Sequence, residues 1–119
     1  MTTQEIANRL VELCNKGDFE IAQKDLFSND AISIEPHATQ AFDKETKGLD
    51  AIIEKGKKFS SMVAETHGIT ISDPSIATNS FACIMKMDVT MKEWGRKEMT
   101  ELCVYQVKDG KIVSEHFFM

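Results

Sequence analysis

The sequence predicts an α+β domain in which helices pack against one face of a curved antiparallel sheet. Three observations carry that reading. The stretch from Phe81 to Phe118 reads as three long strands, Phe81–Lys92, Arg96–Lys108 and Lys111–Phe118. In the first of them Phe81, Cys83, Met85, Met87, Val89 and Met91 fall on every second residue, with Lys86, Asp88 and Thr90 between them. Strict alternation gives one apolar and one mixed face, the pattern of a half-covered strand. The turns are equally legible: Glu93-Trp94-Gly95 closes the first strand, and Asp109-Gly110 joins the second to the third as a tight hairpin. The first half of the chain, by contrast, repeats its apolar residues at helical spacing and is suited to covering the sheet.

The helical half begins at Thr2-Thr3-Gln4-Glu5, a Thr three residues before a Glu, which is the capping-box arrangement. Ile6, Leu10, Leu13 and Cys14 then form one apolar face, and Gly17 ends the helix. Asp18 is placed to cap a short second helix with Phe19, Ala22 and Leu26 inside. Ser28-Asn29-Asp30 reads as a breaker before a strand at Ala31–Glu35, which Pro36 terminates. Residues 37–47 read as a long loop or irregular hairpin. From Leu49 to about Val63, Ile52, Ile53, Phe59 and Met62 mark a third helix. Gly56 weakens it or lets it approach the sheet closely. A strand at Thr66–Ser72 follows, bent or interrupted by Asp73-Pro74, and Thr78-Asn79-Ser80 turns into the C-terminal strands.

With 119 residues, 42% of them hydrophobic and 28% charged, the chain suits one domain with a single core over residues 1–119. A net charge of −5 argues against a nucleic-acid surface, which needs clustered cations. The basic cluster Lys55, Lys57 and Lys58 falls on the third helix and reads as its solvated face. No apolar run follows Met1 and no segment is long enough to span a bilayer, so neither a signal peptide nor a membrane partner is expected. Cys14, Cys83 and Cys103 are odd in number, lack CxxC spacing and sit within apolar patterns. They read as buried thiols of a reducing, cytoplasmic compartment. No glycine pattern for phosphate binding appears, so no cofactor is implied.

Asn15-Lys16-Gly17-Asp18, Leu26-Phe27-Ser28-Asn29-Asp30-Ala31, Gly48-Leu49-Asp50-Ala51-Ile52 and Val107-Lys108-Asp109-Gly110-Lys111-Ile112-Val113 together resemble the SnoaL-like and ketosteroid-isomerase branch of the nuclear transport factor 2-like fold. The resemblance covers nearly the whole chain, and its motifs are turn and cap residues. It implies a cone-shaped domain whose sheet wraps around the helices and leaves an apolar cavity open at one end. It also implies a homodimer formed through the outer sheet face. Fold does not fix function, because this fold hosts enzymes, binding proteins and transport adaptors.

Glu35 is the leading candidate for catalysis. In ketosteroid isomerases the base is an Asp in this strand followed by Pro, and here Glu35-Pro36 occupies the matching place. A carboxylate at the mouth of an apolar cavity is raised toward the range of a useful general base. The isomerase's hydrogen-bond donors to the enolate are absent by the same comparison. The helix position reads Leu10 and the strand position falls near Cys103, so steroid isomerisation is not expected. Alternation from Cys103 turns Met99, Glu101 and Tyr105 inward, and the comparison places Glu115, Phe117 and Met119 on the wall of the cavity. Glu101 and Glu115 would then share one apolar space, which separates their proton affinities and assigns acid from base. A one-residue shift would instead expose both and bring Leu102, Val104, His116 and Phe118 inside.

His37, near Glu35 in the chain, is a candidate proton shuttle. Glu35 and His37 alone do not make a metal site, since several ligands must converge. Leu10, Met62, Cys83, Met85, Met87, Cys103 and Tyr105 complete the expected pocket wall, where methionine supplies an adaptable surface. The sequence therefore points to a small apolar molecule as partner, handled by cyclase- or isomerase-like acid–base chemistry beside a carbonyl. The alternative is a non-catalytic binding or interaction module of the same fold.

Overall fold

Each helix starts and stops where its local chemistry directs, and each hands the chain to the sheet. The computed structural model describes residues 1–119. Helix α1 (Thr3–Asn15) opens on a complete capping box. The Glu5 N–H donates to Thr2 Oγ1 at 3.1 Å, and the Thr2 N–H donates to Glu5 Oε1 at 2.8 Å. Two of the donors left over at a helix start are thereby satisfied. Gly17, at φ +78°, turns the chain out of α1. Helix α2 (Phe19–Leu26) follows Asp18, whose side chain makes no capping hydrogen bond, contrary to the expectation from sequence.

Strand β1 (Phe27–Ile34) begins immediately after α2, four residues before the predicted Ala31. Leu26 and Phe27 are both buried and carry the chain straight into the sheet. The expected breaker is absorbed as an irregularity in pairing between Phe27 and Ile32, where Asn29 and Asp30 stay exposed. A short strand β2 (Glu45–Lys47) returns against β1, so the predicted loop is partly a hairpin. Helix α3 (Leu49–Met62) buries Leu49, Ile52 and Ile53. Gly56 does not mark a close approach, because a Cβ added there would meet nothing within 4 Å.

Strands β3 (Val63–Ile71), β4 (Ser75–Ile76), β5 (Ser80–Met91), β6 (Gly95–Lys108) and β7 (Lys111–Phe118) complete the chain. The sheet runs β2-β1-β7-β6-β5-β3, with β4 on β5. The β5–β6 ladder is unbroken from Ser80↔Gln106 to Met91↔Gly95 and is the longest pairing in the molecule. The β1–β7 pair is parallel, so the sheet is antiparallel-rich rather than wholly antiparallel. The two strands lie far apart in sequence, and the helices and strands between them provide the long crossover that a parallel pair requires.

The three helices cover one face of this curved sheet. Phe81 and Cys83 of β5, Cys103 and Tyr105 of β6 and Ile112 of β7 share the buried cluster with Ile6, Leu10, Leu26 and Ile52 of the helices. The Phe81 and Tyr105 rings stack with centroids 4.8 Å apart. The opposite face keeps Ile84, Leu102 and Phe118 more than two-fifths exposed. No helix is long and apolar enough to cross a membrane.

Ile112 is fully buried where β7 meets both β1 and β6. Ile112→Ala is expected to lower unfolding free energy in urea by about 2–5 kcal/mol. Thr2→Ala, which removes the α1 cap, is expected to cost about 1 kcal/mol.

Candidate functional site

Strand register builds the site. Glu115 of β7 lies beside Ser33 of β1 and Tyr105 of β6, with all three on the helix-covered face. Glu115 is only 5% exposed. The Ser33 hydroxyl donates to Glu115 Oε1 at 2.8 Å. That hydroxyl in turn accepts from Lys55 Nζ at 2.6 Å, and the same ammonium donates to Glu35 Oε1 at 2.9 Å. Lys55 reaches inward because it stands three residues after the buried Ile52, on the same side of α3. An ammonium has three donors. Two are used here, and the third has no partner within the chain, with the Phe117 ring centroid 5.8 Å away. Glu101 faces the same side from β6, opposite Met85, and its carboxylate makes no hydrogen bond within the chain.

Burial sets the electrostatics. It pushes the Glu115 carboxyl up to about 7, against the opposing pull of the Ser33 hydrogen bond and the Lys55 charge, while Glu35 and Glu101 add to the rise. Glu101 is also raised, first by burial and then by the Glu35 charge, with Lys55 opposing. Burial pushes the Cys14 thiol up to about 12 and raises Tyr105 well above its ordinary value. Cys103 is raised by its hydrogen bond with Cys83 and by burial. The interior therefore holds protonated thiols and a phenol around one carboxyl poised near neutrality.

Glu35 follows the last residue of β1, and its N–H donates to the Lys44 carbonyl at 2.7 Å. The structure joins Glu35, Glu101 and Glu115 to one cluster. His37 does not join them; it is exposed on the loop beyond Pro36. Leu10, Cys83, Cys103 and Tyr105 are buried core residues, while Met62, Met85, Met87 and Phe117 are half-buried. Met119 stands 69% exposed at the chain end instead of lining the interior, since β7 stops at Phe118.

Lys55 and Ser33 were missed by the sequence reading. Lys55 belongs to the supposed solvated face of α3, yet its side chain is only 15% exposed. Its three-residue spacing from Ile52 carried the signal, as did the alternation of Ser33 with Ala31 and Glu35. Two clefts open along α3. One, of about 350 Å³, lies between the 36–44 loop and the helix and is lined by Phe42, Thr46, Ala51, Lys55 and Lys58 among others. The other, of about 300 Å³, lies at the helix end between Met62, Met91 and Trp94.

A buried carboxyl with raised proton affinity destabilises the fold once it ionises. Between its ordinary value of 4.5 and about 7, the native protein binds the extra proton and the unfolded chain does not. Stability is therefore full below pH 4.5 and falls as pH rises through 7, by about 3 kcal/mol at about 1.4 kcal/mol per unit. The groups facing Glu115 are Ser33 on β1, Glu35 just beyond its end, Lys55 on α3, Cys14 on α1, and Glu101, Cys103 and Tyr105 on β6. Glu115→Gln is expected to flatten this fall in urea titrations run from pH 5 to 8. An unchanged slope would contradict it.

Comparison with known proteins agrees with this architecture. The family described as SnoaL-like domain matches residues 1–119. A proposed SnoaL-like polyketide cyclase from Mesorhizobium loti superposes with a TM-score of 0.91 at 33% identity, covering 100% of both chains. A cystatin-like-fold protein of Xanthomonas campestris gives a TM-score of 0.82 at 19% identity, over 99% of this chain and 90% of that one. An NTF2-like protein of Burkholderia pseudomallei gives 0.79 at 12% identity, over 100% and 92%. These last two show the fold alone. Among proteins of curated function, none matches in sequence. Match and superposition cover the chain from end to end, and it belongs to the SnoaL-like domain family.

Proposed function

We propose that this protein is an enzyme performing general acid–base chemistry beside the carbonyl of a small, largely apolar molecule, in the manner of a cyclase or isomerase. The observation that supports it is the Lys55-centred cluster, in which one ammonium links Glu35 to a buried carboxyl near neutrality. The free Lys55 N–H donates to the substrate carbonyl and stabilises the oxyanion that develops when the neighbouring carbon loses a proton. Glu115 takes that proton and returns it, a role for which a value near the working pH is best. Glu35 pairs with Lys55 and holds its ammonium in place. Met85, Met87 and Phe117 offer half-buried apolar surface on the same side of the sheet. The structural relative at 33% identity is described as a proposed polyketide cyclase, with carbohydrate phosphatase alongside, and the first of these is a reaction of this class.

This assignment moves the base from Glu35 to Glu115, because Glu35 is committed to the Lys55 ion pair. One observation favours a binding module instead: Glu115 is 5% exposed, so a ligand must open the site to reach it. We also read the outer sheet face as the contact of a homodimer. Ile84, Leu102 and Phe118 lie in register across three strands there, an exposed apolar row suited to a second copy. The three buried, unpaired cysteines fit a cytoplasmic setting.

Deuterium uptake from D2O at the carbon beside the carbonyl, followed by NMR on cyclic ketones and aromatic polyketide-like carbonyl compounds, tests the activity. Wild type is expected to exchange, with Glu115→Gln and Lys55→Met slower by roughly 10²–10⁴-fold. Ligands that raise the melting temperature without exchanging would favour the binding module. Leu102→Lys is expected to convert a dimer to monomer in sedimentation experiments while leaving far-UV circular dichroism unchanged.

A further inference from the structure

Glu115 poses a difficulty for any acid–base cycle. It is only 5% exposed, yet it must lose its own proton to act as a base, and uptake of deuterium from solvent needs exchange between its carboxyl and water. The hydrogen bonds around it supply a route. Glu115 Oε1, Ser33 Oγ, Lys55 Nζ and Glu35 Oε1 stand in series at 2.8, 2.6 and 2.9 Å, the middle contact slightly shorter than the usual N–H···O range. The inner two members are buried, Glu115 5% and Ser33 0% exposed, while the side chains of the outer two, Lys55 and Glu35, are 15% and 24% exposed. Lys55 also lines the cleft of about 350 Å³ between α3 and the 36–44 loop. The loop is tied to the helix by the Lys58 ammonium, which donates to the Ala41 carbonyl and lies 5.1 Å from the Phe42 ring centroid.

We propose that Ser33, Lys55 and Glu35 form a proton relay between the buried Glu115 and solvent at the exposed side of Glu35. The inference rests on Glu115 being the acid–base group of the preceding section. In the inward direction the Ser33 hydroxyl gives its proton to the Glu115 carboxylate as Lys55 gives one to the Ser33 oxygen. The neutral Lys55 amine then turns about its Cε–Nζ bond so that its lone pair faces Glu35 and takes a proton from it, Glu35 having taken one from a hydronium or buffer acid at its exposed side. One proton enters, the hydroxyl and ammonium are restored, and no other bond changes. Reversal carries the proton out. Lys55 thus has two duties on separate N–H bonds, one toward the substrate and one toward Ser33.

The relay is tested on the free protein, without any substrate, by 13C relaxation dispersion of the Glu115 side-chain carboxyl near its titration midpoint. Wild type is expected to exchange protons fast, and Ser33→Ala to slow that exchange by roughly a hundredfold. Because Ser33 is buried, Glu35→Gln provides a second variant at the rim. It keeps an acceptor for Lys55 but carries no proton, and it is expected to slow exchange likewise, with recovery on adding imidazole. Ser33→Thr, which retains the hydroxyl, is expected to stay near wild type. Unchanged exchange in folded Ser33→Ala and Glu35→Gln would overturn the relay. Failure of deuterium uptake on ketones, with exchange at Glu115 slowed as stated, would instead remove the catalytic reading and leave the relay standing.

Discussion

The structure depends on the placing of one carboxyl group inside a small core. A buried Glu is tolerated only with hydrogen-bond partners or as the neutral acid. Here both solutions are present. Ser33 donates to Glu115 because the parallel pairing of β1 with β7 sets them side by side, and Lys55 braces the hydroxyl from α3. Every element that meets the carboxyl is therefore fixed by the elements around it. The β7 register is fixed by its ladder to β6, β6 by its unbroken ladder to β5, and α3 by Leu49, Ile52 and Ile53 against the core. A slip of one residue in β7 would turn Glu115 to the outer face and break the chain of contacts.

Under the proposed function, the same arrangement takes the place of the isomerase's phenol and second carboxylic acid in stabilising negative charge. Leu10 packs in the core and Cys103 is a buried, protonated thiol, so neither serves as a strong donor. In the proposed reaction the ammonium of Lys55 is the stronger donor, reaching in from a different helix. It carries a full charge into a partly water-excluded place, where its interactions are worth more than at the surface. Glu35 meets the cost of that placement by pairing with it. The three acidic groups and one base leave Glu115 and Glu101 with raised proton affinity and Glu35 in the ion pair, a division of roles set wholly by environment.

Much of the fold was legible in the sequence because local rules and tertiary demands agree there. The two-residue alternation from Phe81 to Met91 and the Glu93–Gly95 and Asp109-Gly110 turns specify β5, β6 and β7 to within a residue. The α1 capping box is likewise present as written. Where they disagree, burial wins. Ser28-Asn29-Asp30 has turn chemistry, yet Leu26 and Phe27 draw the chain into β1 and the polar residues become an irregularity in its pairing. The candidate site was half legible. The carboxylates announce themselves by charge within apolar strands; alternation from Cys103 gives the direction of Glu101, and the family resemblance gives the places of Glu35 and Glu115. Lys55 hid among Lys57 and Lys58, since three lysines in four positions read as a solvated helix face. Only its phase relative to Ile52 separates it from the others. His37 misled for the opposite reason, as nearness in sequence to Glu35 ends at Pro36, where the chain turns to the surface.

The central claim is that Glu115 is a buried carboxyl held near neutrality by burial against the pull of Ser33 and Lys55. Its carboxyl 13C chemical shift, followed by NMR across pH, measures that directly. The account predicts a midpoint of about 7 in the wild type, moving higher in Lys55→Met and Ser33→Ala as the opposing interactions are removed. A midpoint near 4.5, indifferent to both substitutions, would contradict it.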